Sequence, residues 1–381
     1  MTRLLSLSLL LGIGCNPRVS MQVLEPSLIT SPSNIQTLAV VDRSRAKNTG
    51  EKILGALESI VTGEGLMADS EGRERAIGAV VTGLRESPRF DAAEVYVPKK
   101  ELESSLFDKS ASWETLEAIC RDAGCQGVVA LEAFDSDSSV DVEVSEKTET
   151  DDNGKEVTVK VFEVDRTTNV VTAWRYYDVV NRQILDDVRD FDRAFSWTES
   201  GATEAEARRK LPPQGDAVQY VGDLAGREYA RRISPTWVTV SRMYYGGGHD
   251  QLKLAKNAVR GGNWTAAVDT WDELFNNAAD PKTKGRAAFN LALAAEREGD
   301  LLNARAWASE SATILGNGTS RNYVVELDRR IADQETLRQQ MKVTEPGQVG
   351  PAKKATAPAK PTKPAPPSNK KPSSSGGGSN R

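Results

Sequence analysis

A chain of 381 residues with net charge −5 has room for two or three domains. Its 27% of charged and 39% of hydrophobic residues are ordinary for a soluble globular body. Residues 346–381 contain seven Lys or Arg and no Asp or Glu. The rest of the chain is therefore acidic, which excludes a nucleic-acid-binding surface.

The N-terminus has the pattern of an export signal. Arg3 is followed by an uncharged, leucine-rich run over residues 4–13 and a small residue directly before Cys15. Ten helical residues rise about 15 Å, half of a hydrocarbon core, so this run is too short to span a membrane. We therefore predict a signal peptide over residues 1–14. The cysteine at the cleavage point resembles the lipobox of bacterial lipoproteins, although Gly12 stands where a leucine is usual.

This resemblance implies that Cys15 is lipidated and becomes the mature N-terminus, which would attach the chain to a membrane. An ordinary secretion signal is the alternative. Asn16 is not the aspartate associated with inner-membrane retention, so the resemblance implies the outer membrane of the cell envelope, on the side facing the periplasm. The polar, proline-containing residues 15–34 are predicted to be an extended tether.

Residues 35–245 are predicted to form a domain of α/β (α+β) class with a mixed sheet. Short apolar runs have the length of strands, and helical spacing of apolar residues marks helices between them. In chain order the first half predicts strand 35–41, helices 50–61 and 71–86, strand 93–97, helix 113–121 and strand 127–134. This order is typical of helices that cover a sheet.

The second half of this domain is predicted to be mostly antiparallel. Val140, Val142 and Val144 alternate with polar residues, and Asn153-Gly154 is a strong hairpin signal. Further predicted elements are strands 157–164, 170–180 and 184–197, helices 202–210 and 216–233, and a final strand over 237–245.

Residues 250–342 are predicted to be all helical, after the boundary at Gly246-Gly247-Gly248. A repeat with an offset of 37 residues aligns 262–267 with 299–304. It resembles the tetratricopeptide repeat, with glycine at the tight turn and small residues where two antiparallel helices cross. Two repeats and a capping helix over 320–341 would form a minimal stack; an unrelated bundle of four or five helices is the alternative.

Residues 343–381 are rich in Pro, Ala, Lys, Ser and Gly and are predicted to be a disordered tail. Its lysines would either increase solubility or contact an anionic envelope polymer or lipid headgroups.

Few residues are suited to catalysis or metal binding. The single histidine, His249, lies in a linker-like context, which argues against Ser-His-Asp and Cys-His catalysis. Cys120 and Cys125 could form a disulfide or be two small buried residues, but two thiols without a nearby histidine cannot complete a zinc site. No GxSxG, HExxH, GxGxxG or Walker motif is present. We therefore predict no enzyme activity, no cofactor and no metal.

Two polar clusters could instead be a calcium loop and a ligand site. Asp135, Asp137, Ser139 and Glu146 imitate calcium-loop positions, but Val140 stands where glycine is needed, so a solvated strand is favoured. Asp42-Arg43-Ser44 follows the first predicted strand, where ligands bind in α/β sheets, although a local ion pair with a capping serine explains it as well. A hydrolase using carboxylates such as Asp42 and Glu64 is the minor functional alternative.

Segments over 40–44, 57–64, 87–90, 130–135 and 290–299, together with Cys15, run in the order found in a known family. Over residues 1–340 the chain resembles uncharacterised bacterial outer-membrane lipoproteins with an N-terminal α/β domain and C-terminal tetratricopeptide repeats. The resemblance implies architecture and no activity.

We expect a non-enzymatic protein-protein interaction or scaffold protein that binds a protein partner on the concave face of its repeats. Candidate contacts on that face are Asn257, Arg286, Asn290 and Arg297. The alternative is a subunit of an outer-membrane secretion or assembly complex.

Overall fold

The computed structural model of this protein describes residues 16–44, 63–94 and 110–342, all within one compact unit. Its strands are β1 (Arg18–Glu25), β2 (Thr37–Asp42), β3 (Asp91–Glu94), β4 (Gly127–Thr150), β5 (Glu156–Asp178), β6 (Gln183–Gly201) and β7 (Thr236–Met243). Its helices are α1 (Gly63–Glu86), α2 (Trp113–Ala123), α3 (Glu204–Lys210), α4 (Gln214–Ile233), α5 (Asp250–Arg260), α6 (Trp264–Asn277), α7 (Pro281–Arg297), α8 (Leu301–Leu315) and α9 (Gly318–Gln340). Within these ranges we find no helix with the length and apolar character that a bilayer span requires.

Some predictions concern residues outside the described ranges. They are the signal peptide over 1–14, lipidation of Cys15, the helix over 50–61, the end of the strand predicted over 93–97, and the tail over 343–381. The side chain of Glu64 lies outside the described part as well.

Five strands form the predicted mixed sheet, in the order β3-β2-β4-β5-β6. β2 is parallel to β3 and β4, whereas β4–β5 and β5–β6 are antiparallel. The side chains of β2 alternate between two buried layers: Leu38 and Val40 face α1 and α4, and Ala39 and Val41 face α2. Burial of both faces explains why residues 38–41 form a continuous apolar run. The predicted α/β class is confirmed.

β4 and β5 are single strands of 24 and 23 residues, although the sequence predicted several shorter ones. Their pairing shifts once, between Leu131 and Ala133, and continues to Thr150 opposite Glu156. The predicted hairpin at Asn153-Gly154 is confirmed: Gly154 has a φ of +78°, and the Asp151 carboxylate accepts hydrogen bonds from the backbone of the turn. The ladder continues beyond the core because backbone hydrogen bonds do not depend on buried side chains.

Helices α1 and α4 cross at very short range because glycines meet at the crossing. A Cβ atom on Gly222 of α4 would lie 2.5 Å from the backbone oxygen of Gly72 in α1. One turn further along α4, Gly226 lies in the same way against the backbone of Ala76. These contacts bring α4 close enough to bury Val218, Val221 and Tyr229 against the sheet.

The tether predicted over 15–34 is wrong for residues 18–25, which form β1. β1 pairs with β7 in a two-stranded antiparallel ribbon, from Arg18 opposite Met243 to Glu25 opposite Thr236. We call these two strands the ribbon. The strand was missed because its pairing partner lies more than 200 residues away in the sequence, and a short alternation with polar residues resembles a linker.

The C-terminal part of the described chain, α5 to α9, is helical as predicted. The turns between α5 and α6 and between α7 and α8 are built in the same way, 37 residues apart. Gly262 and Gly299 both have positive φ, of +77° and +83°. Asn263 and Asp300, which follow them, cap the next helix by accepting hydrogen bonds of 3.1 Å from Ala266 N and Asn303 N.

The end of α9 returns to the sheet. The amide of Gln340 accepts a hydrogen bond from Ser27 N at 3.0 Å and donates one to Ser27 O at 2.8 Å. Arg89, which precedes β3, donates to the backbone oxygens of Gln340, Ile35 and Pro32 at 2.6–2.8 Å. Burial lowers the pKa of this guanidinium. The segment after β1 is therefore held between the sheet and the last helix.

Candidate functional site

The ribbon lies on the side of the helical region formed by α5, α7 and α9. Tyr244, Val19 and Met21 pack into a cluster with residues of α5, α6 and α7. Met243 and Tyr245 pack into a second cluster with residues of α7, α8 and α9. The chain's own strands therefore pack against the helices on which a partner surface was predicted.

A buried ion-pair cluster fastens the ribbon to the helices. The carboxylate of Glu296 in α7 is fully buried and pairs with Arg242 of β7 at 3.0 Å and with Arg330 of α9. The Tyr323 hydroxyl donates a hydrogen bond of 2.5 Å to the same carboxylate. Burial, and then the charge of Glu296, raise the pKa of Tyr323 far above its ordinary range, so the hydroxyl stays protonated. Arg242 also pairs with Glu326 at 2.9 Å. Every one of these polar groups is paired, which identifies the cluster as a structural fastening.

Asn290 was predicted as a partner contact and has an internal role instead. Its side chain is 0% exposed. Its Oδ1 accepts a hydrogen bond from Tyr245 N, and its Nδ2 donates one to Tyr245 O, both at 2.8 Å. A side chain that is buried and paired in this way is not available to a partner. The sequence could not show that the backbone of Tyr245 covers this side chain.

Arg286 lines an open cleft of about 460 Å³ at the N-terminal ends of α7 and α9. Its guanidinium lies 5.3 Å from the centre of the Tyr245 ring and donates a 3.1 Å hydrogen bond to Gly247 O. The cleft combines cationic, capping and apolar side chains: Tyr245, Asp280, Pro281, Lys282, Arg286, Ile314, Leu315 and Asn317. Asp280 and Asn317 use their side-chain oxygens to cap α7 and α9. We call this the α7–α9 cleft.

The other two predicted contacts lie apart from the cleft. Arg297 is exposed at the C-terminal end of α7, with its guanidinium 4.7 Å from the centre of the Trp264 ring. It lines a second, smaller cleft of about 240 Å³ between the ribbon and α8–α9. Asn257 is exposed on α5. The structure therefore does not bring Asn257, Arg286, Asn290 and Arg297 together in one surface.

A second polar cluster lies at the carboxyl end of β2, where the sequence predicted Asp42, Arg43 and Ser44. The Asp42 carboxylate accepts hydrogen bonds from Ser44 N at 2.9 Å and Ser44 Oγ at 2.5 Å, and it pairs with Arg73 at 3.0 Å. The serine cap is the one that the sequence allowed, whereas this ion pair joins Asp42 to Arg73 of α1 and not to a neighbour in the sequence. Arg43 turns inward, and its Nη1 lies 2.6 Å from Glu132 of β4.

Glu132 was not singled out from the sequence, because a lone acid in an apolar strand gives no signal of its partners. It is 7% exposed, and it accepts a 3.0 Å hydrogen bond from the Tyr177 hydroxyl. Arg175 lies 3.7 Å from the same carboxylate. Burial raises the pKa of Glu132, although Arg43 and Arg175 act against this. Burial, and then Glu132, raise the pKa of Tyr177 to about 12.

The structure also places the remaining predicted residues. Cys120 and Cys125 are joined by a disulfide at the end of α2, with a Cα–Cα distance of 4.4 Å. Asp135, Asp137, Ser139 and Glu146 all lie within β4. Because a strand rises about 3.3 Å per residue, Asp135 and Glu146 are roughly 36 Å apart, and the calcium-loop arrangement is excluded. Among the residues that the structure describes, no group of three or more His, Cys, Asp or Glu could hold a metal ion.

Taken together, the fold defines a protein with an α/β body fused to a helical region, both of which match known domain families. Residues 35–245, more than half of the chain, match the domain of unknown function DUF8603, and the chain belongs to this family. Residues 253–329 match a second domain of unknown function, DUF6340. No curated protein matches the chain.

One solved structure that resembles the chain is the hypothetical protein CT253 from Chlamydia trachomatis. The two share 13% sequence identity, and the similarity covers 51% of this chain and 96% of that chain, with a TM-score of 0.23. At this TM-score the likeness supports no conclusion about fold or function.

Proposed function

We propose that this chain is a lipid-anchored, non-enzymatic interaction protein of the bacterial cell envelope, attached through Cys15 to the periplasmic side of the outer membrane. The leucine-rich run before Cys15 and the small residue at the cleavage point support the anchor. The repeated turns at Gly262 and Gly299 support the interpretation of α5–α8 as two tetratricopeptide-like repeats.

The observation that carries the interaction role is the α7–α9 cleft. Lys282 and Arg286 place two positive charges on its polar side, against one negative charge from Asp280, which caps α7. Ile314, Leu315 and the Tyr245 ring form its apolar side. This combination suits a segment of a partner protein that carries a carboxylate next to an apolar side chain.

Removal of the helices would not test this role, since it would also expose the inner side of the ribbon. A photo-crosslinking amino acid at Lys282, on the rim of the cleft, tests it in intact cells. Glu310, on the exposed side of α8, is the matched control position. We expect a defined adduct from position 282 that disappears with Arg286→Glu, and none from position 310. The same adducts from both positions would contradict the proposed cleft.

The anchor is tested separately by labelling with radioactive palmitate. The mature chain should carry the label, and Cys15→Ser should lose it and leave the membrane fraction. Unlabelled mature chain together with unchanged fractionation of Cys15→Ser would favour an ordinary secretion signal.

The paired strands β4 and β5 favour the alternative function, a subunit of a secretion or assembly complex. Phe162 pairs with Gly201 of β6, and beyond it residues 145–161 have no strand partner outside the hairpin among the residues that the structure describes. Val144 is 51% exposed there. An arm of this kind offers backbone and valine side chains to another subunit. Cysteine at Val144 should form crosslinked oligomers in cells if the arm assembles, and remain monomeric if it does not.

A further inference from the structure

The described chain begins at Asn16, directly beside the body of the protein. β1 starts at Arg18, so two residues separate Cys15 from the first strand. Pro17 is held in place, because its carbonyl oxygen accepts a 3.0 Å hydrogen bond from Tyr244 N. A Cβ atom on Gly246 would lie 2.8 Å from both Pro17 Cγ and Lys256 Cδ, so both side chains border Gly246. Residue 15 is two residues from Pro17, so an acyl group there would be attached within about 7 Å of extended chain of this point beside α5.

The surface of α5 at this point is basic. Lys253, Lys256 and Arg260 lie at positions i, i+3 and i+7, which share one face of a helix. Lys253 and Arg260 are exposed, and Leu254, beside them, is 62% exposed. Asp250 pairs with Lys253 at 2.9 Å. Apart from this acid, the neighbouring segments 16–24 and 251–268 contain none, in a chain with 54 Asp and Glu.

We propose that this basic face of α5 lies against the anionic headgroups of a phospholipid bilayer when the chain is anchored. The proposal rests on the proposed lipid anchor and goes beyond it, because it assigns the orientation of the body. A cation close to an anionic membrane surface improves binding about fivefold, and the acyl chains would hold these cations within reach of the headgroups.

The orientation has a consequence for the other end of the ribbon. β1 leads away from α5 for eight residues, about 26 Å, before it reaches the α/β body at Glu25. Gln340, near the last described residue, contacts Ser27 just beyond that far end. The C-terminal end of α9 therefore lies at the end of the ribbon opposite to the basic face of α5.

The test uses the lipidated full chain in vesicles, with a fluorophore on Asn257→Cys and a quencher on the lipid headgroups. A fluorophore on Asn153→Cys, at the tip of the β4–β5 hairpin, reports a distant position. On vesicles containing phosphatidylglycerol we expect strong quenching at position 257 and none at 153. On phosphatidylcholine vesicles the acyl chains still hold the protein, and quenching at 257 should be weaker.

Charge-reversal variants then distinguish an effect of the α5 face from an effect of the protein's total charge. K253E/K256E/R260E should lower the equilibrium ratio of membrane-facing to other orientations, measured at position 257, about 100-fold or more, from three cations at about fivefold each. The matched variant R208E/R209E/K210E, which changes the same charge on α3, should leave it unchanged. Equal effects of both variants, or equal quenching on the two lipids, would overturn the proposal. If the lipid anchor on Cys15 did not hold the protein, the result would differ, because the protein would not sediment with phosphatidylcholine vesicles.

Discussion

Asn290 of α7 and the backbone of Tyr245 form a reciprocal pair of hydrogen bonds, both 2.8 Å long. This pair fixes the end of the ribbon on the helices at the point where the chain turns into α5. It also explains why the polar Asn290 is buried. The backbone groups of Tyr245, just beyond the end of β7, need hydrogen-bond partners, and Asn290 supplies them.

Replacement of Asn290 by an apolar residue of similar size should therefore lower the free energy of unfolding, because two backbone hydrogen bonds are lost. Asn290→Leu would leave Tyr245 N and O unpaired, at about 1–3 kcal/mol for each group. Urea unfolding followed by circular dichroism measures the loss. Asn257→Leu, on the exposed face of α5, is the control and should change stability by no more than about 0.5 kcal/mol. Similar midpoints for the two variants would show that the pair contributes little.

The glycine crossing of α1 and α4 predicts opposite outcomes for the same substitution. Gly222→Ala should destabilise by about 1–3 kcal/mol, because the new Cβ would meet the backbone of Gly72 at 2.5 Å. Gly78→Ala should stabilise by roughly 0.5–1 kcal/mol, because nothing lies within 4 Å of that position and alanine favours a helix. Thermal unfolding distinguishes the two. A Gly222→Ala protein as stable as the parent would mean that the helices separate easily.

The contact between Gln340 and Ser27 predicts that α9 stabilises the N-terminal segment. Gln340→Ala would leave both Ser27 N and Ser27 O without their partner, at about 1–3 kcal/mol each. Amide hydrogen exchange should rise in residues 26–32, together with a fall in the denaturation midpoint. Gln339→Ala, exposed on the same turn, should do neither. Unchanged exchange in the Gln340→Ala protein would contradict the contact.

The raised pKa of Glu132 predicts how stability changes with pH. In the folded chain this carboxyl binds its proton more tightly than at its ordinary pKa of 4.5. Its contribution is therefore fully present below that value and is lost as the pH rises through the folded pKa. The stability of the parent protein minus that of Glu132→Gln should decrease with rising pH above 4.5. Urea unfolding at a series of pH values measures this difference, and parallel curves for the two proteins would refute it.

Periodicity in the sequence was sufficient for much of the fold. The apolar run of β2, the alternation along β4 and β5, the Asn153-Gly154 turn and the 37-residue repeat all report contacts between neighbours along the chain. Residues 18–25 carry only a short alternation of apolar and polar residues, which did not identify a strand because its partner lies more than 200 residues away. The candidate site could not be predicted from local pattern for the same reason. Arg286 lines a cleft, whereas Asn290, on the same helix, is covered by the distant Tyr245.

What the sequence alone determined is the type and order of the elements, since helical and strand spacing are set by which residues within one segment turn towards a core. Tertiary structure decided which face of the repeats is closed, which charged groups are neutralised inside, and that strand β1 starts three residues after Cys15. Those outcomes depend on pairing between distant segments such as β1 with β7 and Gln340 with Ser27, and no property of either segment by itself specifies its partner.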